Sequence, residues 1–127
     1  MKFQVAIISL VFVFVFALSQ TAIASGASQS EKTMAKILIQ LNHFPSDGEK
    51  NQLSKIIKQS SSENEKAVAK AILGLHHSAS SSDKKRLKNV MNDGNAAENI
   101  KNLAGVVYHL NHKPSRSDKK LLTAIID

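Results

Sequence analysis

Five histidines carry most of the chemistry this chain offers, and their spacing is regular. His43, His77 and His112 recur at offsets of 34 and 35 residues, with His76 and His109 close by. Imidazole nitrogen is a good ligand for zinc, copper and nickel. His43, His77 and His112 are therefore a candidate ligand set, joined by His109, which lies at i, i+3 from His112 and shares a helical face with it. Whether the set can hold one ion depends on how the repeats are arranged. Three units around a pseudo-threefold axis would bring the imidazoles together. Three units stacked as a solenoid would space them by a helix-pair thickness, about 10 Å or more. Stacking is the usual outcome for this period. The expectation is then that the three histidines spread along an edge, each in the last turn of its helix. There each would meet free backbone carbonyls and pack on the following proline, where there is one.

The elements that must position these side chains are written three times. Ala35 to Leu53, Ala69 to Leu87 and Ala104 to Leu122 repeat one pattern. In each, an apolar stretch leads to the histidine, then a serine, then an acid three residues on: Ser46/Glu49, Ser80/Asp83 and Ser115/Asp118. A hydroxyl followed at that distance by an acid is a helix N-terminus signature, because the hydroxyl accepts from a free backbone N–H and the acid faces the positive helix end. Similar starts precede the apolar stretches: Ser28/Glu31, Ser62/Glu65 or Ser60/Glu63, and Asn95/Glu98; Asp93-Gly94 reads as a stop. Apolar residues at i, i+3, i+4 follow each later start: Leu53, Ile56, Ile57; Leu87, Val90, Met91; Leu122, Ile125, Ile126. Leu41, Leu75 and Leu110 occupy one core level, and Ala35, Ala69 and Ala104 one level where helices can approach closely.

The expected fold class is all-α, with six helices at about 29–43, 47–59, 63–77, 81–92, 96–112 and 116–126 forming three αα-hairpins. The architecture is either a short solenoid or a compact helical bundle. The period is similar to that of tetratricopeptide repeats, a likeness of layout alone. The aromatic, glycine and alanine positions that mark those repeats are not filled, there is no Trp, and Tyr108 is the single Tyr.

A basic set accompanies the histidines. Lys50, Lys84 and Lys119 are in register after the capping acids, and Lys84, Lys85, Arg86 and Lys88 form the densest cluster. Together with capped helix N-termini they make a candidate anion-binding ridge. The partners this suggests are an anionic ligand, an acidic protein surface, an acidic glycan or an anionic membrane surface. Nucleic acid is disfavoured, because few aromatics are available to stack bases.

No nucleophile elbow, phosphate-cradling Gly-rich loop or His-Glu-x-x-His motif occurs, so no enzyme is expected. Residues 1–24 read as a signal peptide: Lys2, an apolar run from Val5 to Leu18, and Ala22-Ile23-Ala24 at the cleavage positions. An uncleaved anchor is the alternative. Residues 25–127 then form a single helical-repeat domain, expected to be monomeric and secreted or periplasmic. With Lys2 removed, sixteen basic residues face ten acidic ones, a net charge of +6. The absence of cysteine excludes disulfides, thiol chemistry and Cys-ligated zinc. The leading functional expectation is a non-catalytic binding module for an anionic ligand or a protein segment. A His-based metal-binding or metal-buffering envelope protein and a secreted effector or inhibitor are the alternatives.

Overall fold

The computed structural model describes residues 26–127; the segment 1–24 read as a signal peptide lies outside the described residues. Six helices follow one another: α1 Gln29–Gln40, α2 Asp47–Gln59, α3 Glu63–Leu73, α4 Ser81–Asn92, α5 Glu98–His109 and α6 Arg116–Ile126. The described residues contain no strand.

Local chemistry accounts for most of the helix starts. Ser28, Ser46, Ser62, Ser80 and Ser115 are N-caps, each accepting from the backbone N–H of the residue three ahead. The box closes reciprocally at Ser28, Ser46 and Ser115, where the acid accepts from the cap's own N–H. At Ser80 the hydroxyl instead donates to Asp83 Oδ2 at 2.9 Å. The start expected at Asn95 is displaced. Helix α5 begins at Glu98, with Ala97 at the N-cap and no side-chain cap. Asp93 is the cause: its carboxylate accepts from Asn95 N–H at 2.9 Å and from Asn64 Nδ2 at 2.8 Å, so a local turn occupies the residues that would have capped the helix.

Odd and even helices have different roles. The odd helices α1, α3 and α5 all touch one another and form the centre. Ala35, Ala69 and Ala104 are fully buried, so small side chains stand where these helices meet. The even helices do not pack on one another, and each buries a narrower stripe: Leu53 and Ile56, Leu87 and Val90, or Leu122 and Ile125. Each even helix packs foremost on the odd helix of the next repeat: α2 on α3, α4 on α5, and α6 back on α1. That last contact closes the ring. The architecture is the compact bundle, with a pseudo-threefold axis and no free solenoid ends.

The odd helices stop three or four residues earlier than the periodicity suggested. Leu41 and Leu110 are C-caps, and Leu75 follows the C-cap Gly74; all three turn their side chains into the core at 5%, 3% and 1% exposure. Truncating a leucine so buried costs about 2–5 kcal/mol, which fixes where the chain leaves each helix.

Candidate metal centre

The histidines lie just beyond these helix ends, in turns rather than in last helical turns. Phe44 N–H donates to Asn42 C=O at 3.0 Å, Ser78 N–H to His76 C=O at 2.6 Å, and Lys113 N–H to Asn111 C=O at 2.8 Å. Each bond spans one residue, and that residue is a histidine with positive φ: 73° at His43, 63° at His77 and 64° at His112. This is the positive-φ γ-turn, a rare and strained conformation for a residue with a Cβ. Such strain costs about 1–3 kcal/mol per residue and persists only where the surroundings impose it. The surroundings here are two buried anchors per turn. Leu41, Leu75 and Leu110 lie two residues before the histidines; Pro45, Ala79 and Pro114 lie two residues after, all buried.

The three turns are then joined to one another. His43 N–H donates to His112 C=O at 3.2 Å, His77 N–H to His43 C=O at 3.0 Å, and His112 N–H to His77 C=O at 2.6 Å. The result is a closed ring of backbone hydrogen bonds, one residue from each hairpin. Because the same turn is repeated about an axis, the same side-chain atom points to that axis three times. Nδ1 of His43 lies 3.1 Å from Nδ1 of His77 and 3.2 Å from Nδ1 of His112, and the last two are 2.9 Å apart. The imidazoles meet edge to face, with centroids 4.7–5.2 Å apart. His77 and His112 are exposed and His43 is half-buried, so the cluster opens to solvent.

This convergence overturns the expectation that the histidines spread along an edge, each against its own helix end. Two physical causes combine. Ring closure carries the three odd-helix ends to one axis, and the positive φ swings each side chain inward instead of back along its helix.

The geometry suits an ion. Three nitrogen lone pairs at this separation repel unless a proton or a cation lies between them. With zinc–nitrogen bonds near 2.0–2.1 Å, ligand edges of 2.9–3.2 Å give N–metal–N angles of about 97°, with the ion about 1 Å out of the nitrogen plane. That lies between the 90° of a facial octahedral set and the ~109° of a tetrahedral one. Among the described residues no other His and no carboxylate joins the cluster. The in-register acids are held elsewhere: Glu49 and Asp118 accept from Ser46 and Ser115 N–H, and Asp83 is bonded to Ser80 and paired with Arg86.

The other candidates separate from the site. His109 ends α5, is exposed, and packs edge-on against Tyr108 at 4.9 Å, outside the cluster. His76 is exposed, with its ring 6.3 Å from that of Phe44. Lys50, Lys84 and Lys119 sit in the first turns of α2, α4 and α6, so closure disposes them around the axis and not along a linear ridge. Lys84 Nζ lies over the Tyr108 ring at 5.9 Å from its centroid, and Arg86 is paired to Asp83 at 3.3 Å. Lys85, Lys88 and Lys119 are exposed. The strained turns and the backbone ring carry no sequence signal, since neither Gly nor Asn occupies the positive-φ positions; the only trace of the site is the threefold recurrence of His.

No known protein-family model matches this chain, and no curated protein or solved structure resembles it significantly.

Proposed function

We propose that this protein binds one divalent transition-metal ion on its pseudo-threefold axis, through Nδ1 of His43, His77 and His112. One observation carries the reading: three Nδ1 atoms from three separate repeats lie within 3.2 Å of one another. Triplicate backbone strain at those same residues supports it, because strain retained at each ligand position is a common mark of a functional site. The ligand geometry argues for zinc or nickel. Cupric copper favours a tetragonal plane with trans pairs, which a facial set near 97° does not supply. With a leader directing export, the role this favours is metal binding or buffering outside the cytoplasm. No observation favours the effector or inhibitor reading.

Metal titration of the helical domain, with elemental analysis, tests the proposal. One ion per chain is expected. Replacing any one of His43, His77 or His112 with Ala should weaken binding by more than about a hundredfold, beyond the roughly 10–100-fold loss typical of residues that only support a ligand, while His76→Ala and His109→Ala leave it unchanged. Uptake insensitive to the three, or no uptake, refutes it.

A further inference from the structure

The triad covers only one side of an ion. Structural zinc sites are closed by four protein ligands, whereas sites with three keep a position for an exogenous group. Here the three nitrogens are neutral ligands, and no carboxylate among the described residues shares the site. A divalent ion held by them keeps its full charge. His77 and His112 are exposed and His43 is half-buried, so the free coordination positions are open to solvent. Along the chain, exposed Lys113 directly follows His112, and Lys50, Lys84 and Lys119 stand in the first turns of the helices that follow the three histidines.

We infer that the metal-loaded centre is an anion receptor: the outward coordination positions take an exogenous oxyanion, a carboxylate or a phosphate, bound to the metal through oxygen. This rests on the metal-binding reading and specifies its ligand. It also relocates the anion affinity suggested by the basic composition. The anion contacts the ion itself, and the basic side chains contribute a general positive field that salt screening weakens. Neutral imidazoles with an oxyanion opposite them balance the charge that the protein's own ligands leave uncompensated.

Cobalt(II) replaces zinc in nitrogen sites and absorbs visible light according to its coordination, so it serves as the probe. The helical domain is loaded with one equivalent of cobalt and titrated separately with acetate and with inorganic phosphate at constant ionic strength; metal content and molecular mass are followed in parallel. A saturable change in the visible bands with one or both anions, at unchanged cobalt content and monomer mass, is the expected result, and the two arms show which class is preferred. Cobalt bound stoichiometrically with spectra indifferent to both anions overturns this inference and leaves the metal site standing. Two outcomes show the open positions filled by protein, and each overturns it equally: dimerisation on loading, or a spectrum altered by His76→Ala before any anion is added. Failure of the domain to take up cobalt, zinc or nickel overturns the metal reading, and this inference falls with it.

Discussion

Replacing His77 with glycine separates the two roles of the strained turns. Glycine tolerates φ near 63° without a Cβ penalty, and it keeps the N–H that donates to His43 C=O. Relief of strain is worth about 1–3 kcal/mol. The greater freedom of glycine in the unfolded chain takes back about 0.5–1 kcal/mol. In the absence of metal, His77→Gly should therefore match or exceed the native chain by up to about 2 kcal/mol, which raises Tm by roughly 8–16 °C for a domain near 100 residues. His77→Ala keeps the strain and should gain nothing. With metal at 100 times Kd the order reverses. The native protein then gains about 2.7 kcal/mol, or roughly 11–22 °C, while both variants gain little. Thermal unfolding followed by far-UV circular dichroism, with chelator and with zinc or nickel, reads this crossing directly. If His77→Gly is strongly destabilised without metal, the imidazoles themselves hold the turns together. If metal stabilises native and variant proteins alike, the ion binds elsewhere. Either result refutes the reasoning.

Two further outcomes bear on the scaffold. Ser46→Ala and Ser115→Ala each remove a reciprocal cap and should cost about 0.5–2 kcal/mol in chemical denaturation; unchanged midpoints would show that the acids alone suffice. Asp93 has its carboxyl held below the ordinary value of 3.8, chiefly by the hydrogen bond from Asn64 and then by that from Asn95 N–H. A depressed carboxylate stabilises the fold above its unfolded value and loses that effect as pH falls through the folded one. The Tm difference between native protein and Asp93→Ala should therefore hold near neutrality and shrink below pH 3.8; a difference independent of pH would assign the effect to packing.

What the sequence made legible was whatever depends on near neighbours. The serine caps, the i, i+3, i+4 stripes of the even helices and the buried leucines follow from local periodicity and are all present. Closure does not follow from it. Whether α6 returns to α1 or faces solvent is decided by side-chain fit between elements at opposite ends of the chain, and a 34-residue period suits either outcome. The odd-helix ends were misplaced because the apolar spacing continues through Leu41 and Leu110, which enter the core from C-cap positions instead of from helical ones. The α5 start was misplaced because Asn95 looks like a cap until Asp93 and Asn64, 29 residues apart, are known to meet. The histidines were visible as a set and invisible as a cluster for the same reason: their register is local information, and their convergence is not.

Closure on an axis also fixes a number. A stacked array gains or loses a unit by duplication or deletion at its ends, and its remaining members keep their contacts. In this ring, each hairpin supplies one backbone donor, one backbone acceptor and one imidazole to a single shared circuit. Removing a hairpin would leave a donor and an acceptor without partners and only two nitrogens; inserting a fourth would open the circuit and destroy the facial set of three. Two hairpins alone lack both the closed circuit and the third ligand. The triad therefore exists only in the completed fold, and binding there would report that all three repeats, distant along the chain, have reached their places.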